Sequence, residues 1–222
     1  MNDVILEFKE VWKIYGTRET KLTALKGINL KIKRNSLNLV LGPSGSGKTT
    51  LLNIASLLDT PKNGKIIING QDTSNLSPSA RSNMRRNKIG IIYQRANLFP
   101  YLSILENTML PMISPDKDKA LKTLKMVGLT ETNKFPDEIS MENQQRAALA
   151  RAIINNPDLI IADEPTGELD KKNTETLMDL ITQIKNKYAI LILSNNENLK
   201  KYCDELFSLK DGYLQKNDDR NV

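Results

Sequence analysis

The sequence predicts an α/β fold with a central parallel sheet, for two reasons. Short apolar runs of the kind that form buried strands alternate along the chain with longer segments whose apolar residues recur at helical spacing. Such alternation is typical of strand–helix–strand units, in which successive strands run parallel. With 222 residues, the chain is also long enough to bury a sizeable core without a metal or a disulfide. We therefore predict a single domain over residues 1–222.

The elements of the parallel sheet can be placed in order along the chain. Its strands are predicted at 37–41, 89–93, 159–162 and 189–193. A glycine-rich turn follows the first strand, and a helix is predicted over 49–59 because its apolar residues share one face and Pro61 closes it. Asp170 is placed to cap a later helix that carries Leu177 and Ile181 on its apolar face.

Three regions depart from this alternation. Residues 98–155 carry helical patterns bounded by prolines and glycines, which predicts a helical insertion between sheet strands. Its helices are predicted at 117–127 and 144–154. The first forty residues and residues 65–69 alternate more like antiparallel strands. Near the end, Asp211-Gly212 between two apolar runs predicts a hairpin, and the polar tail from Lys216 is expected to be frayed.

Composition excludes several kinds of chemistry. Histidine is absent, which rules out an imidazole base and a histidine-ligated metal, and the single cysteine, Cys203, rules out an internal disulfide. The longest apolar run, 188–193, is far shorter than the ~18 residues that span a bilayer. The first ten residues lack a basic start followed by an apolar run, so we expect no signal peptide. Any membrane role is therefore expected to be peripheral.

The formal net charge is +6, from 32 Lys and Arg against 26 Asp and Glu. The densest basic cluster comprises Arg81, Arg85, Arg86 and Lys88. A run of this kind is usually a solvated face, and contact with nucleic acid or anionic lipid is the alternative. Because no RNA-binding aromatic motif, zinc finger or basic zipper accompanies the cluster, we expect no nucleic-acid partner.

The strongest motif is a phosphate-binding loop between the first predicted strand and its helix. It fits the pattern G-x-x-x-x-G-K-[ST], which requires that strand–turn–helix context. Its candidate nucleotide-binding residues are Gly42, Pro43, Ser44, Gly45, Ser46, Gly47, Lys48, Thr49 and Thr50. Glycines let backbone N–H groups converge on phosphate oxygens, and the helix N-terminus adds partial positive charge. Lys48 can reach the terminal phosphates and the Thr49 hydroxyl can bind Mg²⁺, so the motif predicts a nucleoside triphosphate site.

A second motif is an apolar strand that ends in two carboxylates, Asp163 and Glu164. Asp163 is a candidate for the Mg²⁺ shell, and Glu164 is a candidate to polarise an attacking water. A strand that ends in acids is common, and alone this signal is weak. Together with the phosphate loop it predicts hydrolysis of the bound nucleotide.

Three stretches resemble the ATP-binding-cassette (ABC) ATPases, and within them the lipoprotein-release and macrolide-export branch. They are GPSGSGKTTLLN at 42–53, RRNKIGIIYQRANLFPYLSILEN at 85–107 and ADEPTGELD at 162–170. The resemblance covers about residues 6–215. It implies a P-loop NTPase fold with a RecA-like parallel core, an antiparallel β subdomain and a helical subdomain at 98–155. It also implies a head-to-tail dimer that holds two ATP molecules, each between one chain's phosphate loop and the other chain's signature sequence.

The resemblance assigns roles to four further residues and to one short segment. Tyr15 would stack on adenine, although it also fits an ordinary strand aromatic, and Ser140 is the serine of the signature. Gln94 would contact Mg²⁺ and the lytic water, with a plain polar strand end as the alternative. Asp170 would lie at the dimer seam, a role that is compatible with helix capping. Residues 99–102 (Phe-Pro-Tyr-Leu) are candidates for the surface that receives a permease helix, and an apolar core is the alternative there.

Two positions depart from the family pattern. The signature Leu-Ser-Gly-Gly-Gln is replaced by Ile-Ser-Met-Glu-Asn at 139–143, so Met141 and Glu142 stand where the family has glycines. A carboxylate ~4 Å from one phosphate charge costs ~4 kcal/mol at an effective dielectric of 20. Alternatively, Glu142 stabilises its own helix N-terminus by ~0.3–1 kcal/mol. After the last sheet strand, Asn195 stands in place of the family's catalytic histidine and cannot carry a proton.

These observations together predict an ATP-binding subunit of a membrane export or mechanical-coupling complex. The resemblance implies ATP and Mg²⁺ as cofactors, an integral-membrane permease as partner, and a homodimer or a heterodimer with another ABC ATPase. It also implies a cytoplasmic location, peripheral at the inner face of the cell membrane. Hydrolysis is expected to be slow because of the altered signature and Asn195. The alternative is a nucleotide-binding regulatory or structural subunit with negligible turnover.

Overall fold

Two β-sheets and six α-helices make up the described chain, residues 3–17 and 20–217, of this computed structural model. The strands are β1 (Val4–Tyr15), β2 (Leu22–Lys33), β3 (Leu37–Leu41), β4 (Asn63–Ile68), β5 (Gln71–Asp72), β6 (Ile89–Ile92), β7 (Leu159–Asp163), β8 (Ala189–Ser194), β9 (Glu205–Lys210) and β10 (Tyr213–Asn217). The α-helices are α1 (Lys48–Ala55), α2 (Pro78–Lys88), α3 (Ile104–Met109), α4 (Lys117–Met126), α5 (Met141–Ile153) and α6 (Lys171–Ile184). Two 3₁₀ helices lie at Pro136–Glu138 and Glu197–Tyr202.

The larger sheet has six strands in the order β10-β9-β3-β8-β7-β6, and the four predicted parallel strands are three of its central members, β3, β8 and β7, and the edge strand β6. All its pairings are parallel except the terminal hairpin β9–β10. Strands β3 and β8 are buried at every position, as expected for a parallel sheet covered on both faces. The carboxyl ends of parallel strands meet at one edge, so the loops after β3, β6, β7 and β8 lie together there.

Alternate side chains of the central strands feed two separate cores. In β3, Leu37 and Leu39 pack with the helices α3 to α6, while Val40 packs on the other face with α1 and the smaller sheet. That smaller sheet is antiparallel in the order β2-β1-β4-β5, which confirms the antiparallel pattern predicted for the first forty residues. The predicted α/β class is therefore correct, with an antiparallel sheet packed on one side of a parallel one.

Several predicted boundaries were wrong by a few residues. Helix α1 ends at Ala55 rather than at residue 59, because Leu57 adopts a left-handed φ of 60°. Helix α5 begins at Met141, three residues before the predicted 144, where the Ser140 hydroxyl accepts a hydrogen bond from the Asn143 N–H at 3.2 Å. Strand β6 ends at Ile92, so Gln94 lies beyond the strand rather than at its end.

The terminal tail also differs from its prediction. Lys216 and Asn217 belong to β10, where they pair with β9, and are therefore not frayed. The remaining tail residues, 218–222, lie outside the described residues. Within the described part of the chain, no helix is both long and apolar enough to cross a membrane.

Residues 98–155 contain helices α3, α4 and α5 and the 3₁₀ turn Pro136–Glu138. The fully buried Asn107 holds the entry to this segment, since its amide donates to the carbonyls of Phe99, Leu102 and Ser103. Helix α5 connects the segment to the sheet, because its Gln145 side chain donates to the carbonyl of Tyr93 at 3.2 Å and to that of Gln94. The first half of α5 is thus hydrogen-bonded to the loop that follows β6.

Candidate active site

A cleft of about 590 Å³ opens at the carboxyl edge of the parallel sheet. It brings most of the predicted site residues together: its walls include Tyr15, Ser44, Gly45, Gly47, Lys48, Thr49, Thr50, Gln94, Asp163, Glu164 and Asn195. Three predicted loop residues, Gly42, Pro43 and Ser46, shape the loop but do not line the cleft. Ser140 is the one predicted residue that lies elsewhere, at the start of α5.

The phosphate loop surrounds the Lys48 ammonium group. The Lys48 Nζ atom donates to the carbonyl oxygens of Gly42 at 2.8 Å and Pro43 at 3.1 Å. Gly47 has a φ of 110°, and a Cβ there would lie 2.7 Å from the Ala24 carbonyl of β2, so only glycine fits. Gly45, at a φ of 79°, faces open space. The loop is therefore closed towards β2 and open towards the cleft.

The N-terminus of α1 points into this loop without a cap of its own. Gly47 occupies the N-cap position and offers no side-chain acceptor, and no acidic residue lies in the first turn of the helix. The hydroxyl of Ser46 is buried and has no hydrogen-bond partner among the described residues. Helix N-termini left in this state carry partial positive charge and free N–H groups. The loop thus fits a phosphate group.

The two carboxylates after β7 have different surroundings. Asp163 Oδ2 accepts a hydrogen bond from the hydroxyl of Thr49, in the first turn of α1, at 3.2 Å. Glu164 Oε1 lies 3.4 Å from the Lys48 Nζ atom, and its Oε2 accepts from the Ser194 hydroxyl at 2.7 Å and the Asn195 N–H at 3.1 Å. Glu164 also has a left-handed φ of 46°, a strained geometry of the kind found at functional sites.

The electrostatics of this pair favour a bound cation. Burial raises the pKa of Asp163 above its usual value, and the neighbouring Glu164 charge acts in the same direction, while the Thr49 hydrogen bond opposes it. Carboxylate and hydroxyl oxygens are the ligands that Mg²⁺ prefers. The residues present therefore fit Mg²⁺. Asp163 and Thr49 offer a carboxylate and a hydroxyl oxygen as ligands, and Gln94 lines the same cleft.

Tyr15 lines the cleft, and its side chain is held in place by Asp59 and Lys13. Its hydroxyl donates to Asp59 Oδ2 at 3.0 Å, and Lys13 Nζ donates to Asp59 Oδ1 at 2.6 Å. The same ammonium group lies 4.9 Å from the centroid of the Tyr15 ring. Burial raises the pKa of Tyr15, and 37% of the residue remains exposed on the cleft side. The ring is therefore fixed in position yet open to a planar ligand.

Sequence reasoning missed three groups of residues at this site. Lys13, two residues before Tyr15 on β1, and Asp59, in the loop after α1, support Tyr15, and Ser194 holds Glu164. The hairpin turn was predicted, but its place was not: the Gly212 N–H donates to the Ser46 carbonyl at 3.2 Å, beneath the phosphate loop. Only Ser194 carried a signal, because it precedes Asn195 at the end of a predicted strand.

The altered signature lies at the first turn of α5. Met141 is 47% exposed, and the Glu142 side chain reaches towards the next turn of the helix, where its Oε1 accepts from Arg146 Nε at 3.0 Å and Nη2 at 2.5 Å. Arg146 Nη1 in turn donates to the Val127 carbonyl at 3.1 Å. The Glu142 carboxylate is thus neutralised by Arg146, a partner that neither sequence-based interpretation anticipated.

Two other expectations can be compared with the structure. Phe99 is 58% exposed and Tyr101 90% exposed, so the apolar-core alternative is wrong for both. Asp170 caps α6, since its Oδ1 accepts from the Asn173 N–H at 2.8 Å. The capping role is confirmed, and the role at a dimer seam stays a prediction.

The fold and the loop between β3 and α1 define a P-loop NTPase. Residues 25–167 match the family model described as ABC transporter, and the chain belongs to this family, as an ATP-binding ATPase subunit. It is 44% identical, over 95% of this chain and 97% of the relative, to the ABC transporter ATP-binding protein MJ1508 of Methanocaldococcus jannaschii. The family predicted from the sequence is therefore confirmed.

Other relatives confirm the predicted branch. The chain is 40% identical to the lipoprotein-releasing system ATP-binding protein LolD of Wigglesworthia glossinidia brevipalpis, over 97% of this chain and 98% of that one. It is 37% identical to the macrolide export protein MacB of Bdellovibrio bacteriovorus, over 95% of this chain and 33% of that longer protein. Among solved structures, a dimeric post-hydrolysis state of the ATP-binding cassette MJ0796 bound to ADP and Pi superimposes with a TM-score of 0.87, at 36% identity over 96% of this chain and 98% of that one.

Proposed function

We propose that the chain binds MgATP in the 590 Å³ cleft and hydrolyses it as the energy-supplying subunit of a membrane export or mechanical-coupling complex. One observation carries the proposal: the Lys48 ammonium group, the Thr49 hydroxyl and the two carboxylates after β7 converge on a single opening. An uncapped helix N-terminus and an ammonium group offer phosphate binding, and the carboxylates offer hydrolytic chemistry.

The nucleotide would lie along the cleft from Tyr15 to Glu164. The Tyr15 ring stacks on the adenine, while Lys48 and the N–H groups at the start of α1 bind the terminal phosphates. Once phosphate oxygens replace the carbonyls of Gly42 and Pro43 as acceptors, Lys48 also loosens its ion pair with Glu164. Nucleotide binding would thereby free the Glu164 carboxylate to orient the attacking water.

Mg²⁺ would be held by the Thr49 hydroxyl and Asp163, with Gln94 beside them, and would neutralise charge that develops on the phosphates. The described residues contain no cluster of three or more His, Cys, Asp and Glu side chains that can hold a metal. Oxygen atoms of the nucleotide and of water would therefore complete the coordination shell.

Glu164 would orient the water that attacks the terminal phosphate. Ser194 and the Asn195 N–H hold one of its two carboxylate oxygens, so the other can accept a proton from that water. The Asn195 side chain would donate a hydrogen bond to the phosphate and, unlike a histidine, carries no charge there. ADP and inorganic phosphate would leave as products.

The assembly we propose has two copies of this chain, or this chain with another ABC ATPase, so that the Ser140 turn of one subunit faces the phosphate loop of the other. The dimer of MJ0796 supports this arrangement. An integral-membrane permease would dock on the helical subdomain at 98–155, where Phe99 and Tyr101 are exposed, and would hold the chain at the cytoplasmic face of the membrane. A nucleic-acid partner is not part of the proposal.

We further propose that turnover is slow, because Met141 and Glu142 add bulk where close approach to a phosphate needs glycine, and because Asn195 cannot carry a proton. These same residues favour the second candidate function, a nucleotide-binding regulatory subunit with negligible turnover. The intact Asp163, Glu164 and Gln94 favour hydrolysis.

Calorimetric titration with MgATP tests the binding step. Lys48→Ala should weaken binding by about 10²-fold or more, because a buried charge that faces phosphate is lost. Lys122→Ala, at an exposed position of α4, is the matched control and should leave the affinity unchanged. Equal affinity in the parent and Lys48→Ala would contradict the assignment of the cleft.

Phosphate release separates the two candidate functions. If the chain is an ATPase, release by the parent exceeds that by Glu164→Gln, while both bind MgATP. Identical release by the two proteins, with binding intact, would favour the regulatory subunit.

A further inference from the structure

The loop that follows β6, residues 93–97, belongs to no strand or helix, yet it brings Gln94 to the nucleotide cleft. Gln94 also lines a second cavity of about 390 Å³, between this loop, the start of α5 and the loop after β7. A backbone carbonyl that leaves water needs a hydrogen-bond donor, and a loop has no ladder of its own to supply one. The donors to this loop therefore decide where Gln94 lies.

Gln145 of α5 holds the first part of the loop. Its side chain is almost fully buried, and its Nε2 atom donates to the carbonyl of Tyr93 at 3.2 Å and to that of Gln94. The Oε1 atom of the same amide is buried and has no hydrogen-bond partner among the described residues. An unpaired buried oxygen costs free energy that an apolar side chain would not. The two donated hydrogen bonds offset that cost, which indicates that the glutamine serves as a donor to the loop.

Arg151 of α5 holds the second part of the loop. It donates from Nη2 to the Ala96 carbonyl at 2.6 Å and from Nη1 to the Asn97 carbonyl at 2.7 Å. Burial lowers the pKa of Arg151, because the guanidinium group is largely removed from water. Six positions separate Arg151 from Gln145, or ~9 Å along a helix, which matches the ~10 Å that three residues of extended chain can span. One helix thus binds four of the five carbonyls of the loop.

The Gln94 side chain is bounded on its other side by the loop after β7. A Cβ atom at Gly167 would lie 3.2 Å from Gln94 Nε2 and 3.3 Å from the Glu164 carbonyl oxygen, a closer approach than most side chains tolerate. The Gly167 N–H donates to that same carbonyl at 2.9 Å. The Gln94 amide therefore lies directly against the backbone that carries Glu164.

We propose that Gln145 and Arg151 are positioning residues, which hold the 93–97 loop along α5 so that the Gln94 side chain reaches the Mg²⁺ end of the cleft. This proposal rests on the proposed function, because it explains the support of a residue placed there beside Mg²⁺. Neither Gln145 nor Arg151 lines the nucleotide cleft, so both act through Gln94. A loop that is ordered before binding loses less conformational entropy when its ligand arrives.

Gln144 provides a matched control on the same helix. Its Nε2 atom also donates to two carbonyls, those of Pro136 at 2.8 Å and Ile139 at 3.4 Å, but both precede α5 within the helical segment. Gln144→Met and Gln145→Met therefore remove the same kind of donor. Only Gln145→Met removes contacts to the 93–97 loop.

The experiment measures the ATP affinity of the full chain by calorimetry, once with Mg²⁺ and once with EDTA. The ratio of the two dissociation constants gives the contribution of the metal and requires no turnover. The variants are Gln145→Met, Gln144→Met, Gln94→Ala and the combination of Gln94→Ala with Gln145→Met. Arg151→Lys tests the second donor, since it keeps the charge but loses the planar fork. Thermal denaturation without nucleotide reports the folding of each variant.

We expect Gln145→Met to lower this ratio by about 2–10-fold, the effect of one displaced hydrogen-bonding group, and to leave the affinity in EDTA unchanged. Gln144→Met should keep the ratio of the parent. Gln94→Ala should lower the ratio as much as Gln145→Met, and the combination should lower it no further, because the two residues act as one unit. Arg151→Lys should lower the ratio as well.

Three results would overturn the inference while leaving the nucleotide site intact. One is a ratio in both Gln145→Met and Arg151→Lys that equals that of the parent, even if their Tm falls. Another is a Gln94→Ala ratio equal to that of the parent. The third is a loss from Gln145→Met that persists in full in the Gln94→Ala background, since Gln145 would then act without Gln94. Failure of the parent to bind MgATP would instead contradict the proposed function.

Discussion

The N-termini of α1 and α5 could each bind an anion through backbone N–H groups, but only the N-terminus of α1 lacks a side-chain cap. Helix α1 starts after Gly47, with no side-chain cap and no acidic residue in its first turn. Helix α5 starts after Ser140, whose hydroxyl accepts from the Asn143 N–H, and it carries Glu142 in its first turn. An anion finds unpaired donors at α1, whereas at α5 one donor is already bound by Ser140 and Glu142 is paired with Arg146. Two helix N-termini of the same chain therefore differ in their capacity to bind a phosphate group.

The largest expected effect comes from restoring the family's glycines at the start of α5. Met141→Gly, Glu142→Gly and Asn143→Gln, combined with Asn195→His, should raise ATP turnover strongly. Groups that stabilise transition-state charge contribute ~10²–10³ in rate each. The measurement is the steady-state ATPase rate of the parent, each repair and the combined variant at saturating MgATP.

Adding Glu164→Gln to the repaired chain is the control, and it should remove the gain because the water then loses its positioned carboxylate. The two repairs should gain more together than their separate effects predict if they serve one transition state. A combined variant that turns over at the parent rate would mean that α5 and Asn195 do not limit this protein.

A smaller effect tests whether the cleft beside α1 is built in advance. Tyr15→Phe keeps the ring but removes the hydrogen bond to Asp59, and should weaken MgATP binding by about 2–10-fold, the effect of one hydrogen bond of ~0.5–1.5 kcal/mol. Asp59→Asn in the Tyr15→Phe background should add little, because the two residues share one interaction. Tyr101→Phe is the matched control. Fully additive losses in calorimetry would show that Asp59 acts separately from Tyr15.

The smallest expected effect concerns stability. Burial raises the pKa of Asp163, so its contribution to stability is present below the unfolded pKa and is lost as the pH rises through the folded value. Asp163→Asn should therefore raise the Tm of the nucleotide-free chain at pH 7, on the order of 1–2 °C for a domain of this size, and by less as the pH approaches 4.

The exposed Asp72 provides a control of opposite sign. Hydrogen bonds from Ser74, together with Lys65, lower its pKa to about 2, so Asp72→Asn should not raise the Tm at pH 7. Scanning calorimetry at several pH values measures both variants. A Tm for Asp163→Asn below that of the parent at pH 7 would contradict the sign we derive.

The sequence was most informative where the chemistry is local and least informative where it depends on packing. The strand–loop–helix order around Lys48 and the acids after β7 could be located because each motif occupies a few consecutive residues. The support of Tyr15 by Asp59 joins positions 44 residues apart, and no pattern of apolar spacing encodes such a pair. Helix ends were predicted from apolar periodicity, which continues past Ala55 although the backbone turns left-handed at Leu57.

Charge patterns in the sequence were similarly ambiguous. The cluster from Arg81 to Lys88 reads as one basic face in the sequence, but the structure divides it. Lys88 pairs with Asp158, Arg81 lines a pocket with Asp59, and Arg85 and Arg86 line a recess between α2, β6 and α5. The partner of Glu142 was missed for the same reason, since the helical i,i+4 relation to Arg146 required α5 to begin at Met141. The prediction for Glu142 was incomplete because α5 begins three residues earlier than predicted.

The hydrogen bond from Gly212 to Ser46 has a consequence for how the chain is made. The segment beneath the phosphate loop follows the loop by more than 160 positions and therefore leaves the ribosome well after it. At ~5–20 residues per second, about 8–33 s separate the synthesis of these two residues. Strand β3 likewise cannot form its pairings in the sheet until β8 and β9 have been synthesised. A nascent chain thus completes its nucleotide site only after the β9–β10 hairpin has been synthesised, and a deletion of that hairpin removes the hydrogen bond beneath the loop.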